Sequence, residues 1–206
     1  MIKDEFVINK IDYYFTVSSP WAYLGHSRLK SIAASNQIDI CYRPVNIIEN
    51  FYKTRGIVLK KRSEERQHYR LVELTRWSKH LNIKINLHPQ HLHASDHLAN
   101  KVIIALTEMN IDPGPISETF ARAIWLEDQD ISDIGVISSL LLNHEIDPKP
   151  LLINAQSKTI EDKFSKETQL AIAGGIFGVP SYVAKEQIFW GQDRLDLLRS
   201  FISNNN

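Results

Sequence analysis

Ile11, Tyr13, Phe15 and Val17 alternate with Asp12, Tyr14 and Thr16, a period of two that predicts a strand from Ile11 to Val17. Ser18 and Ser19 end it. Pro20 suits the first position of a helix, where its missing N–H would be unpaired anyway and its φ is preset. Ser19 is then the natural N-cap of a helix that runs from Trp21 to Ala34, carries Leu24, Leu29 and Ile32, and ends near Ser35-Asn36. Ile38, Ile40 and Tyr42 alternate with Asp39 and Cys41, a second strand that stops at Pro44. Strand, helix and strand within about 35 residues predict a right-handed βαβ unit with a parallel pair.

Beyond Pro44 the pattern turns helical as far as Gly174. Ser63 is read as the cap of a charged helix through Arg76, Trp77 and Leu81, with Glu64 and Glu65 favourably placed in its first turn. Residues 82–94 read as extended or loop. Ser95 caps a helix with Leu98, Val102, Ala105, Leu106 and Met109 on one face. Asp112-Pro113-Gly114-Pro115 breaks it, and helices follow at about 115–127 and 132–143, from Asp147-Pro148, and from Ser157 to Gly174-Gly175. The period of two returns at Ser181 to Ala184 and Ile188 to Trp190, which flank Lys185-Glu186-Gln187 as a hairpin. Asp193 is read as the cap of a last helix with Leu195, Leu197, Leu198 and Phe201, and Asn204-Asn205-Asn206 as a frayed tail.

Composition narrows the partners. Lys plus Arg and Asp plus Glu number 24 each among 206 residues, so nothing argues for nucleic acid or an anionic membrane. The single cysteine, Cys41, excludes an internal disulfide and any multi-cysteine metal site. Met1-Ile2-Lys3-Asp4-Glu5-Phe6 lacks the apolar run of a signal peptide, and no stretch approaches the roughly 20 apolar residues that span a bilayer. The expected compartment is the cytoplasm, where glutathione is abundant and reduced.

A βαβ start and a ββα end that bracket about 125 mostly helical residues describe an α/β, thioredoxin-like fold with a large all-helical insertion. The expected division is a discontinuous thioredoxin-like unit, 1–45 and 176–206, around a helical insertion at 46–175. In such a fold the start of the first helix carries a reactive Cys-x-x-Cys; here Ser19-Pro20-Trp21-Ala22 stands there. Dithiol exchange is therefore missing, while the helix start still offers unpaired N–H groups and a partial positive charge to an anion. Ser19 cannot be a good nucleophile without a base, but its hydroxyl can donate to a thiolate supplied by another molecule. The plain alternative is that Ser19 is a cap only.

Three further features carry chemistry. Gly178-Val179-Pro180-Ser181 sits where these folds keep a cis-proline, which would present the Val179 backbone to a peptide-like ligand; the plain reading is a trans-proline that starts a strand. Trp190-Gly191-Gln192-Asp193-Arg194 would place a second helix start beside the first, with Asp193 able to bind an ammonium. The basic set Arg43, Lys60, Lys61, Arg62, Arg66, Arg70 and Arg76 reads mostly as solvated faces, with a few able to meet an acidic substrate under the insertion. His88, His91, His93 and His97 invite a metal reading, but Pro89 interrupts the run and no cysteine joins it, so loop histidines are the better reading.

Asp12 to Gly25, Tyr42-Arg43-Pro44-Val45-Asn46, Lys60-Lys61-Arg62-Ser63 with Glu65-Arg66-Gln67, Arg76-Trp77, and the close from Gly175 to Val183 and Phe189 to Asp196 together resemble the 2-hydroxychromene-2-carboxylate isomerase family. The resemblance spans essentially residues 11–202 and extends to kappa-class glutathione transferases and, more distantly, DsbA-like oxidoreductases. It implies glutathione as cofactor and a homodimer. It puts Ser19 against the glutathione sulfur, Val179 and Pro180 beside the cysteinyl part, and Gln192, Asp193 and Arg194 at the γ-glutamyl end. Asn46 and Lys60 are implied glutathione contacts; Arg43, Arg76 and Trp77 are implied contacts of an aromatic or unsaturated acid.

The implied reaction is isomerisation of an unsaturated aromatic keto acid, or its cyclic hemiketal, through a transient glutathione adduct, with Arg43 or Lys60 on the substrate carboxylate. Two departures from the family stand out: His91-Leu92-His93 where members often have a proline after His-Phe, and Lys185-Glu186-Gln187 where the hairpin usually turns on Asp-Gly. The rival readings are a kappa-like transferase that conjugates electrophiles and a non-catalytic binding module. With Ser19 and Ala22 in the motif, a disulfide oxidoreductase is excluded.

Overall fold

The computed structural model describes residues 8–205. The Met1–Phe6 reading and Asn206 lie outside these. The first strand β1 (Lys10–Phe15), the helix α1 (Pro20–Asn36) and β2 (Asp39–Pro44) form the expected βαβ unit, with β1 and β2 parallel and Ile11 opposite Ile40. The hairpin β3 (Ser181–Ala184) and β4 (Gln187–Trp190) adds antiparallel to β1, which gives the order β2-β1-β3-β4. Gln187 belongs to β4 rather than to the turn. The turn is Lys185-Glu186, both at positive φ (45° and 65°), as a two-residue primed hairpin turn demands.

Between β2 and β3 run α2 (Ile47–Thr54), a 3-10 turn at Leu59–Lys61, α3 (Glu64–Leu81), α4 (His97–Glu108), α5 (Gly114–Trp125), α6 (Ile134–Leu142), α7 (Pro148–Ala155) and α8 (Lys158–Ala173). The helix α2 was not foreseen. The cap of α4 is Asp96 rather than Ser95, and its carboxylate makes no capping bond because it is engaged elsewhere. The last helix is also entered differently. A 3-10 turn at Gln192–Arg194 leads into α9 (Leu195–Ser203), so Asp193 does not cap it. Asn204 and Asn205 stay tied to α9: the Asn204 N–H donates to the Ser200 carbonyl (3.1 Å) and the Asn205 amide to Phe201 (2.8 Å).

One apolar core joins the strands to the helices, from Ile11 and Phe15 through Val102 and Ile103 to Trp125 and Leu141. Its centre is aromatic. Tyr13 stacks on Phe15 at 4.5 Å and on Tyr182 at 5.3 Å, with Tyr42 and His26 at its edges. Gly25 lets α1 approach this stack, since a Cβ there would lie 2.7 Å from the Tyr182 hydroxyl. No helix among the described residues is long and apolar enough to cross a membrane.

His26 is 3 % exposed and sits between the Tyr13 hydroxyl (Nδ1, 3.5 Å) and the Gly114 carbonyl (Nε2, 3.3 Å). Burial pushes its pKa down from 6.5 to about 4. The folded ring stays neutral while the unfolded chain takes a proton below pH 6.5, so this contribution to stability is whole above that pH and is lost as pH falls toward 4. Urea unfolding at pH 7.5 and 4.5 should show an acid loss that His26→Gln lacks, of about 2 to 3 kcal/mol at 1.36 per pKa unit.

Candidate active site

Ser19 is the N-cap of α1 in extended conformation (φ −79°, ψ 119°), and the Ala22 N–H donates to its Oγ at 3.3 Å. Ser19 therefore does cap α1. The functional reading stands beside it, because capping uses a lone pair and leaves the hydroxyl proton uncommitted. The loop before it is tied to α4. Asp96 accepts hydrogen bonds from the Thr16 hydroxyl and from the Ser18 hydroxyl (2.5 Å). Asn100 accepts from the Val17 N–H (3.2 Å) and donates to Thr16 Oγ1 (2.9 Å).

Val179-Pro180 is a cis bond, as expected from Gly-Val-Pro-Ser. Among the described residues, neither the N–H nor the carbonyl of Val179 has a hydrogen-bond partner. Gly191, at φ 102°, turns the chain out of β4, and its N–H donates to the Pro180 carbonyl at 2.9 Å. Gln192 follows, buried at 1 % exposure. Arg28 of α1 donates to its carbonyl (3.2 Å) and its Oε1 (3.0 Å), which fixes the second turn beside the first helix. Among the described residues Gln192 Nε2 has no partner and is buried, the kind of orphan donor that a bound acceptor satisfies. Asp193 pairs with Arg194 at 2.9 Å.

These pieces line one cleft of about 890 Å³. Ser19, Val179, Gln192, Asp193 and Arg194 form one part of its wall; Lys60 and Trp77 come from the helical segment, with Ile48, Phe51 and Tyr52 of α2. Four cations, Lys60, Arg62, Arg70 and Arg194, face two acids, Glu73 and Asp193. Both acids already hold an arginine, Arg76 and Arg194. The excess charge is positive and suits an acidic occupant.

Residues 10–203 match the family described as DSBA-like thioredoxin domain. The chain belongs to that family. Within it, the chain is 27 % identical over 199 residues to a 2-hydroxychromene-2-carboxylate isomerase of Sphingobium xenophagum, a match that covers 93 % of this chain and 97 % of that one. A solved 2-hydroxychromene-2-carboxylate isomerase superposes with a TM-score of 0.83 over 95 % of both chains at 20 % identity. A cytosolic disulfide reductase, DsbM of Pseudomonas aeruginosa, solved with GSH, superposes at 0.68 over 95 % of this chain and 98 % of that one at 14 % identity. The thioredoxin-like fold with its helical insertion and the resemblance to the isomerases are thus both borne out.

Not every expected residue reaches the cleft of this DSBA-like chain. Arg43 donates to Asp12 (2.7 Å) and to Glu167 (3.0 Å). Its burial opposes the charged form, but these two carboxylates outweigh it and raise its pKa. Its cation is spent on the back of the sheet, where β2 meets α8. Asn46 caps α2, accepting from the Glu49 N–H at 3.2 Å, while its own N–H donates to Thr168 Oγ1 (2.9 Å). Arg76 projects outward onto Glu73 at 2.6 Å, and of the Arg76-Trp77 pair only Trp77 lines the cleft.

The histidines disperse: His91 faces Asp130 (3.5 Å), His97 faces Glu161 (3.1 Å), and His93 lines the cleft. Cys41 is not part of the lining. Three contributors escaped the sequence reading. Arg28 and Asp96 act on partners 164 and at least 78 residues away and leave no local signal. The helix α2 did leave one, the Asn46-x-x-Glu49 spacing of a capping box.

Proposed function

We propose that this protein is a glutathione-dependent isomerase of unsaturated aromatic keto acids or their cyclic hemiketals. The observation that carries this reading is the convergence of three uncommitted polar groups in one cleft: the Ser19 hydroxyl proton, the Val179 backbone and the buried amide of Gln192. They suit a small γ-linked peptide with a thiolate at one point and charged groups at its end. Ser19 and the N–H groups that open α1 would hold the sulfur as an anion, by donation and by the helix dipole. Val179 would pair with the cysteinyl part, and Pro180 shapes that backbone. Gln192 Nε2 would donate to the γ-glutamyl carboxylate, Asp193 would accept from its ammonium, and Arg194 steadies Asp193. Bound glutathione would supply a sulfur nucleophile for reversible addition to an activated double bond.

The apolar half of the cleft, with Trp77, Phe51 and Ile48, suits the organic acid, and of Arg43 and Lys60, the pair expected near its carboxylate, Lys60 lines the cleft beside Arg62 and Arg70. The isomerase names of the relatives support this choice over conjugation. A cytoplasmic location follows from the need for reduced glutathione. Calorimetric titration with reduced glutathione tests the reading. The wild type should bind, and Asp193→Ala should bind about tenfold or more weakly, the worth of a charged hydrogen bond. An undiminished affinity in Asp193→Ala contradicts the placement. No binding at millimolar glutathione removes the function. Turnover with glutathione far below the acid concentration separates isomerisation from a kappa-like transferase, which would consume it.

A further inference from the structure

Arg66 and Arg70 lie four residues apart in α3 and share a face, and Arg62 stands in extended backbone just before the cap Ser63. Arg62 and Arg70 line both the main cleft and an adjoining cavity of about 440 Å³, with Trp21 and Tyr69. Both are partly withdrawn from water. The Arg70 guanidinium lies 5.8 Å above the Trp125 ring, and among the described residues no carboxylate pairs with it.

The acids nearby are committed: Glu73 to Arg76 at 2.6 Å, and Glu65 to its own N–H and the Ser63 hydroxyl. Arg62 spends its Nε on the Ile57 carbonyl (2.9 Å) and has no acid either. Burial, with repulsion from Arg62 added, lowers the Arg70 pKa to about 10, which still leaves it charged at neutral pH. Half-buried cations held side by side without an anion are costly unless a ligand completes them. Arg43 and Arg76, the arginines implied for the acid by the resemblance, already hold carboxylates.

We propose that Arg70, backed by Arg62, receives the carboxylate of an aromatic acid whose apolar body lies against Trp77 and Tyr69. The planar fork of an arginine suits a carboxylate, and the aromatic lining suits the body of the acid. The choice of an aromatic acid rests on the isomerase reading; the anion site itself does not.

The test is calorimetric binding of cinnamate and of cinnamamide, its neutral isostere, to the whole protein. The wild type should prefer cinnamate about tenfold or more, as a charge-assisted pair predicts. Arg70→Met should bind both alike, Arg70→Lys should keep part of the preference, and Arg62→Gln should lose part of it. In melting curves without ligand, Arg70→Met should stay within a few degrees of the wild type, because the lost cation had no carboxylate and only the Trp125 face as partner. An undiminished preference in Arg70→Met overturns the proposal. So does a preference lost only together with cinnamamide binding and several degrees of melting temperature, which would mark a structural arginine. Glutathione titrated into the wild type decides the isomerase reading separately, so its failure leaves the Arg70 result to stand alone.

Discussion

Ser19→Ala is expected to lower isomerase turnover at saturating glutathione by about 100- to 1,000-fold, the usual cost of removing one donor from an anion-stabilising site. The same change should cost about 1 kcal/mol of stability through the lost cap, or about 2–4 °C in melting temperature for a chain of this size. Ser19→Gly separates the two roles. Glycine is nearly as good a cap, so its melting point should stay within a degree or so of the wild type while turnover falls as far as in the alanine variant. The geometry makes the distinction possible, because the Ala22 N–H uses an Oγ lone pair and the donor proton is spare. Normal steady-state turnover in Ser19→Gly would show that the hydroxyl does not act on the sulfur.

Gly191→Ala is expected to abolish most glutathione affinity from a position that has no side chain of its own to offer a ligand. Its φ of 102° and ψ of 147° belong to a region that essentially only glycine occupies. A Cβ there would stand 2.4 Å from Asp193 Oδ1, so either the carboxylate or the whole turn must move. The strain is about 1–3 kcal/mol, visible as a fall in the urea midpoint. The displaced Asp193 should weaken binding at least as much as Asp193→Ala, about tenfold or more. Calorimetry of both variants checks the ranking; full affinity in Gly191→Ala would detach Asp193 from the ligand.

What could be read from sequence was local. Ser19-Pro20, the alternation through Phe15 and the cis-proline signature each declare themselves within a few residues, and each stands where expected. The helix α2 was missed although Ile47, Ile48, Phe51 and Tyr52 recur at helical spacing, because its eight residues are too few for the period to stand out. Asp193 looked like a cap because Asp196 follows at capping-box spacing; Asp196 instead holds Arg28 (3.2 Å) and Arg199 (2.8 Å). The basic residues could not be sorted in advance. Which arginine finds an acid depends on Asp12 and Glu167 meeting over Arg43, a coincidence of register and helix packing.

The bonds from Asp96 and Asn100 to Thr16, Val17 and Ser18 bear on how far such a molecule can be cut down. A minimal version that kept only the strands, α1 and α9 would retain Ser19 and its cap. It would lose the two side chains that hold the approach to Ser19 in place, and Thr16 and the Val17 N–H would turn from satisfied groups into exposed ones. The helical segment is therefore part of the scaffold of the Ser19 turn itself, and shortening the chain there trades away the shape of the site before it touches any group that lines it.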